Sequence, residues 1–304
     1  MVVANHSLIF TQSTQTIALR IVNPAFVLPK VSDTTVHILA SGPSIQTNAI
    51  DLLGCESVIF VNGSISLTEH YKFDKIVAYV ITDPRFIKHN CSIPLQYYRG
   101  DYPLYISALV AEQLWQDAPD FLVQYADHIY IIYPVDRPID DSLIALQQTS
   151  LLGKIAVTLN KRTRLKHLKH SPYHSINKKI GVSWDIRYGF VEGGTVALVA
   201  LQLAYSLGFQ MIHLYGIDLI NSQQPRFYEN QDNAAPTKLD KAITHRIVPS
   251  FDWVAHNYQQ KGVQIYNHSP ISKDLFTFIP PYSAACLLYP TALSSYPKVV
   301  LKII

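Results

Sequence analysis

Five short polar stretches, each placed directly after an apolar run, carry residue types that can hold a phosphate, orient a hydroxyl or move a proton. They are Ser41-Gly42-Pro43-Ser44, Asn62-Gly63-Ser64, Thr82-Asp83, Gly216-Ile217-Asp218 and Asn267-His268-Ser269. The first offers backbone N–H groups and serine hydroxyls to an anion at the start of the segment that follows. It serves equally well as a tight connection. It has neither the three glycines of a dinucleotide fingerprint nor the lysine of a P-loop, which argues against hydride transfer and ATP hydrolysis. Asp83 and Asp218 are the carboxylates that can orient a ribose, hold a metal or act as a general base, although an aspartate after a strand more commonly caps the next turn. They form no DxD pair, so no metal is expected.

Among 12 histidines, His37 and His213 lie inside apolar runs and read as satisfied core or edge residues. His245 stands apart, on a helical stretch following the Gly216-Ile217-Asp218 loop. An imidazole titrating near neutrality suits deprotonation of a hydroxyl, and a solvated helix face is the alternative.

The elements that must position these residues alternate along the chain. Val36-His37-Ile38-Leu39-Ala40, Ser57-Val58-Ile59-Phe60-Val61 and Lys75-Ile76-Val77-Ala78-Tyr79-Val80-Ile81 read as strands, the first leading through the glycine turn into a helical pattern at Ile45, Ile50, Leu52 and Leu53. Further on, the pattern predicts a helix over 104–115, a strand over 128–133 and a helix over 140–151. Residues 195–207 are apolar nearly all round and stop at Gly208, which describes a buried helix. A strand over 211–215, a helix over 237–260 and a strand over 263–267 follow. Continuous rather than alternating apolar strands require burial on both faces, so the expected fold is α/β: a single Rossmann-like, mainly parallel sheet with helices on both faces. Residues 1–35 are expected as an N-terminal extension, 36–275 as the catalytic domain and 276–304 as an apolar C-terminal tail.

With 48% apolar and 15% charged residues the chain is folded rather than disordered, and 25 basic against 22 acidic residues leave a net charge of only +3. Nucleic acid is therefore not an expected partner. Cys55, Cys91 and Cys286 are too few and too scattered for a disulfide framework. No apolar run reaches the roughly 20 residues of a bilayer span and the first ten residues lack a signal-peptide pattern, so the expected location is cytoplasmic. Between 161 and 179 the chain holds Lys161, Arg162, Arg164, Lys166, Lys169, Lys178 and Lys179, with His167, His170 and His174 and no acid. It reads as a mobile basic segment that attracts phosphates or an anionic inner-leaflet surface, or else as a solvated loop. The tail, with Leu287, Leu288, Tyr289 and Val299, is suited to docking on the domain, on another subunit or on a membrane interface.

The succession Leu39-Ala40-Ser41-Gly42-Pro43-Ser44, Val61-Asn62-Gly63-Ser64, Tyr79-Val80-Ile81-Thr82-Asp83-Pro84-Arg85-Phe86, Thr195 with its buried helix, Gly216-Ile217-Asp218-Leu219 and Arg226-Phe227-Tyr228-Glu229-Asn230 resembles the lipopolysaccharide core biosynthesis proteins associated with attachment of a third Kdo sugar. More distantly it is similar to bacterial CMP-sialic-acid sialyltransferases. The resemblance implies a variant GT-A-type glycosyltransferase without a cofactor. Its donor would be a CMP-activated ulosonic acid, and its acceptor a lipid-linked oligosaccharide of the lipopolysaccharide core. It places Ser41, Gly42, Pro43, Ser44, Asn62, Gly63, Thr82, Asp83, Thr195 and Gly216 around the donor. After a two-residue insertion, Tyr228 matches one of two tyrosines that support the leaving phosphate. The other tyrosine falls at Ile220, and an arginine before the buried helix falls at Gly194, for which Arg187 is a substitute. His245 falls near the catalytic histidine of the sialyltransferases, so the implied catalytic set is His245, Asp218 and Tyr228. The implied reaction is a single displacement with inversion. A non-catalytic nucleotide-binding scaffold of envelope assembly stays open as an alternative. So does a pyrophosphokinase, because the Gly-Pro-Ser turn also occurs in archaeal-type pterin enzymes.

Overall fold

The computed structural model describes residues 1–4, 6–12, 15–136, 168–220, 225–229 and 242–282. Strands β1 (Val2–Ala4), β2 (Ser7–Gln12), β3 (Gln15–Ile21), β4 (Thr35–Leu39), β5 (Ser57–Val61), β6 (Lys75–Ile81), β7 (Leu104–Ser107) and β8 (Ile129–Ile132) are followed by a separate hairpin, β9 (His174–Asn177) and β10 (Ile180–Ser183), and then by β11 (Met211–Tyr215) and β12 (Gln264–Asn267). All but the hairpin form one sheet in the order β1-β2-β3-β8-β7-β6-β5-β4-β11-β12. From β3 through β12 every pairing is parallel, and β1 and β2 close the far edge as antiparallel strands. The first 35 residues thus extend the sheet itself: β3 pairs with β8 in parallel.

Helices α1 (Pro84–Asn90), α2 (Ser92–Tyr97), α3 (Ala108–Asp117), α4 (Pro119–Tyr125), α5 (Val196–Leu207) and α6 (Val248–Gln259) cover the sheet. Successive strand residues point to opposite faces, and each face has its own core. Val36, Ile38, Ile59, Val61 and Val80 pack with α5 and α6. Leu39, Val58, Phe60, Tyr79 and Ile81 pack with Ile87 of α1, Val110 and Leu114 of α3 and Leu122 of α4. The α/β layering expected from continuous apolar strands is the one observed.

Thr195 caps α5 and Gly208, in the left-handed region, ends it. The buried polar residue of this apolar helix, Gln202, is fully bonded: its Oε1 accepts from Ser183 N (3.0 Å) and Val191 N (3.0 Å), and its Nε2 donates to Val191 O (3.0 Å) and Leu198 O (3.1 Å). Those bonds fix the loop that leads into Gly193, Gly194 and the start of α5.

Four local expectations are corrected. The segment expected as a helix over 104–115 begins as β7, because Leu104, Tyr105, Ile106 and Ser107 are all buried in the sheet; Ser107 then caps α3 by accepting from Val110 N. The helical pattern after the glycine turn consists of two 3₁₀ turns, Pro43–Thr47 and Ile50–Leu53. The long helix expected from residue 237 is described from 242, where a π-helical turn, Ile243–Ile247, precedes α6. Pro249 has no N–H for the carbonyl of His245 and its ring crowds that carbonyl, which widens the turn. Finally, residues 168–179 of the basic segment are structured, as a 3₁₀ turn (Leu168–His170) and most of the β9–β10 hairpin, with exposed Lys178 and Lys179 at the tip. The helix over 140–151, residues 161–167 of the basic segment and residues 283–304 of the tail lie outside the described residues.

On the face that carries Tyr215, β4, β11 and the end of β12 bring three histidines together. His37 and His213 stack with ring centroids 4.8 Å apart, His213 Nδ1 lies 2.8 Å from His268 Nε2, and His268 is stacked between Tyr215 and Tyr282. Burial holds all three imidazoles far below their usual range: His37 and His268 at about 3, His213 at about 4. His37 and His213 are thus the satisfied core residues expected from the sequence.

Candidate functional site

From β4 the chain steps through β5, β6, β7 and β8 in one direction, and it later places β11 and β12 on the other side of β4. The order reverses between β4 and β11, and in such sheets the crevice outside the carboxyl ends of the strands at that reversal is where ligands bind. The Ser41-Gly42-Pro43-Ser44 turn leaves β4 there and Gly216-Ile217-Asp218 leaves β11. The two are joined by Ala40 N–H to Tyr215 O and Gly42 N–H to Gly216 O, both 2.9 Å.

Asp218 clamps the opening of the crevice. Its carboxylate accepts from Ser44 N (2.6 Å), from Ser44 Oγ (2.6 Å) and from Ser269 Oγ beyond β12. Ser269 is itself held by Asn267 Oδ1, which accepts its N–H at 3.0 Å. Three strand ends therefore meet on one carboxylate. Gly42 is required by this closeness, since a Cβ there would lie 2.5 Å from Asp218 Oδ2 and 2.6 Å from Gly216 O. Expected as a ribose, metal or base residue, Asp218 instead has its oxygens engaged by protein donors.

Beside the clamp, Asn62 ends β5 in the left-handed region at φ 52°, a conformation that asparagine tolerates. Its backbone carbonyl accepts from Tyr79 Oη at 2.7 Å, whereas its side-chain Oδ1 is buried without a partner. Tyr228 packs against Gly63, where a Cβ would come within 2.1 Å of the ring. Phe227 N–H donates to Ser41 O at 3.3 Å and docks the Arg226–Glu229 stretch over the β4 turn. The Tyr228 hydroxyl is buried beside Ser41 with no hydrogen bond of good geometry. Burial pushes it up to about 12, with the Arg226 charge opposing, so at neutral pH it is a donor without an acceptor. A buried polar atom without a partner costs on the order of 1–3 kcal/mol. Both atoms belong to residues set at the strand ends that border the crevice, and a molecule bound there can supply those partners.

At the end of β6, Asp83 caps α1 and holds Arg85 by three side-chain bonds, Nε to Oδ1 at 3.0 Å and to Oδ2 at 3.1 Å, and Nη2 to Oδ2 at 2.6 Å. Burial raises the carboxyl, but the bonds from Arg85 outweigh it and the net shift is downward; the Arg226 charge adds to it. Thr82 lies at the same strand end, its carbonyl accepting from Ser107 Oγ at 3.0 Å.

Because α5 leads through Gly208 straight into β11, its amino end lies at the carboxyl ends of the strands. Thr195 is thus brought to the crevice side. The turn carrying exposed His245 packs there as well, with Ile247 Cγ1 3.1 Å and Arg246 Cδ 3.6 Å from a Cβ built on Gly194. Arg187 is held elsewhere: its Nε and Nη2 are bonded to Asp185 at 2.9–3.0 and 2.7 Å, and its carbonyl accepts from Tyr133 Oη beyond β8. The structure therefore gathers Ser41, Gly42, Pro43, Ser44, Asn62, Gly63, Gly216, Asp218 and Tyr228 tightly, with Thr82, Asp83 and Thr195 around them. It shows no described contact from Arg187 or His245 to the glycine turn. Sequence reasoning missed the clamp role of Ser269 and the roles of Arg226 and Glu229. All three lay in stretches already singled out, but nothing in their types revealed which partner each meets.

A crevice at the switch point of a parallel sheet, bordered by a glycine turn, is where open α/β sheets bind their ligands. Over residues 25–283 the sequence matches the family described as 3-deoxy-D-manno-octulosonic acid transferase WaaZ. The chain belongs to that family and is a glycosyltransferase. It is 27% identical over 255 residues to a probable 3-deoxy-manno-octulosonic acid transferase of Escherichia coli (strain K12), with 82% of this chain and 83% of the relative covered. A protein of the same description from Salmonella typhimurium (strain LT2) is 27% identical over 248 residues, covering 82% and 86%. Among solved structures, the sialyltransferase CstII from Campylobacter jejuni in complex with a substrate analogue, cytidine-5'-monophosphate, is similar at a TM-score of 0.40 and 15% identity over 82% of this chain and 85% of that one. The monofunctional α-2,3-sialyltransferase Cst-I from the same organism is similar at 0.42 and 14%, over 85% and 84%.

Proposed function

We propose that the enzyme transfers 3-deoxy-D-manno-octulosonic acid (Kdo) or a related ulosonic acid from its CMP-activated form to a lipid-linked lipopolysaccharide core oligosaccharide, by a single inverting displacement. The observation that carries this reading is the pair of buried, partnerless polar atoms, Asn62 Oδ1 and Tyr228 Oη, beside the clamped glycine turn, in a member of a Kdo transferase family. An acceptor hydroxyl attacks the anomeric carbon, the bond from that carbon to the phosphate oxygen breaks, and CMP leaves with the electron pair. Negative charge develops on the phosphate, where the Tyr228 hydroxyl and the N–H groups opening α5 behind Thr195 stabilise it. His245, on the turn packed against Gly194, takes the acceptor proton. Asp218 acts as a positioning residue through Ser44 and Ser269.

The acceptor is anchored in the inner leaflet and the enzyme works at its cytoplasmic surface. Exposed Lys178 and Lys179 offer charge to phosphorylated lipid, and no helix among the described residues is long and apolar enough to cross a membrane.

Thermal melts test the donor. CMP at a hundredfold excess over its Kd should stabilise the protein by about 2.7 kcal/mol, and ATP and NAD should not. Asn62→Ala should fold, destabilised by about 1 kcal/mol because alanine is strained at this left-handed position, yet lose most of that CMP shift. Stabilisation by ATP alone, or a full CMP shift in Asn62→Ala, would count against the reading.

A further inference from the structure

We propose that Arg226 is the residue of the donor site that recognises the nucleotide phosphate, and that Glu229 is its positioning residue. The inference rests on the donor reading above and adds a residue and a chemical role to it. Three consecutive residues dock across the carboxyl ends of adjacent strands: the N–H of Phe227 bonds Ser41 O after β4, the ring of Tyr228 lies on Gly63 after β5, and Arg226 precedes them both. The guanidinium is close enough to bias both Tyr228 and Asp83, which ends β6.

Glu229 holds this arginine in one conformation. It accepts the backbone N–H of Arg226 on Oε2 at 3.0 Å and Nη1 on Oε1 at 2.6 Å, with its own side chain only 2% exposed. Burying a carboxylate is expensive unless it is paired, and Arg226 supplies such a pairing here. Arg226 itself stays 34% exposed, and among the described residues its Nε and Nη2 are given to no hydrogen bond. No hydrogen bond joins them to Asp83, whose two oxygens accept from Arg85. The result is a rigid fork with free N–H donors, set beside a tyrosine hydroxyl that lacks an acceptor. A guanidinium fork matches the oxygen spacing of a phosphate, where an ammonium supplies only a point charge.

Calorimetric titration with CMP and with cytidine isolates the phosphate. Wild type should bind CMP more tightly than cytidine. Arg226→Gln should weaken CMP by about 10- to 100-fold while leaving cytidine within about twofold, as expected for loss of a charge-assisted contact. Arg226→Lys, which keeps the charge and a partner for Glu229, should retain part of the preference; it also serves as the readout should the glutamine variant not fold. Glu229→Gln should fall between wild type and Arg226→Gln. Equal losses for CMP and cytidine in the arginine variants, or an unchanged CMP-to-cytidine ratio, would overturn the assignment of Arg226 while leaving the donor reading intact. Failure of wild type to bind CMP at all would overturn both.

Discussion

Asp218→Ala is expected to abolish measurable CMP binding and to lower the melting temperature, and the two effects should appear together. The carboxylate, itself at the end of β11, receives a backbone N–H and two hydroxyls from two other strand ends, and hydrogen bonds to a charged group contribute roughly 1.5–3 kcal/mol each in favourable cases. The bonds share one acceptor and are not additive, so a loss of about 2–4 kcal/mol is expected. Without the carboxylate, Ser44 N and Oγ lose their partner and the turn that faces the crevice loses its shape. Asp218→Asn, which keeps one acceptor oxygen, should fall between alanine and wild type. A general base would behave differently: removing it would stop turnover while leaving CMP affinity and melting temperature near wild type. Calorimetry and a thermal melt on the same preparation separate the two roles, and a stable, CMP-binding Asp218→Ala protein would refute the clamp.

The second large effect is a steep loss of stability in acid. His37, His213 and His268 are neutral in the fold down to about pH 3–4, whereas in the unfolded chain they take up protons near 6.5. The unfolded state therefore binds more protons throughout that interval, and stability falls as the pH drops from about 6.5 towards 4. Each such group contributes up to about 1.4 kcal/mol per pH unit. Charging the stack cannot be relieved locally, since the rings face one another and Tyr215, Tyr266 and Tyr282, with Glu56 4.0 Å from His37 Nε2 as the nearby carboxylate. Asp83 acts in a different window, because its lowered value makes its contribution disappear only below the ordinary carboxylate range. Denaturant melts between pH 4 and 7 should show the slope, and His213→Phe, which keeps a stacking ring, should flatten it. Identical slopes in wild type and variant would remove the histidine stack as the cause.

Much of the framework was legible because burial on both faces leaves a plain mark: β5 and α5 are apolar without alternation, and each stops at a turn residue. The five strand ends were legible for the same reason, since a polar run after a buried strand has to sit at the sheet's rim. The failures have physical causes. Leu104-Tyr105-Ile106 is too short to separate strand from helix by period, and only its place between β6 and β8 decides it. The role of Asp218 could not be read from its type, because a carboxylate free to act as a base and one saturated by three donors have the same sequence. The segments of β1, β2 and β3 lack the strand-helix alternation, yet they continue the sheet because β3 pairs with the edge that β8 would otherwise leave open.

The most direct measurement is transfer itself: purified enzyme, CMP-Kdo, and a truncated lipopolysaccharide core acceptor in vesicles, followed by NMR for CMP release and for the configuration of the new linkage. One CMP should be released for each Kdo incorporated, with inversion at the anomeric carbon and faster turnover on the lipid-linked acceptor than on the same oligosaccharide free in water. Retention of configuration, or a bound CMP-Kdo that is neither transferred nor hydrolysed in the presence of the acceptor, would contradict the proposed reaction.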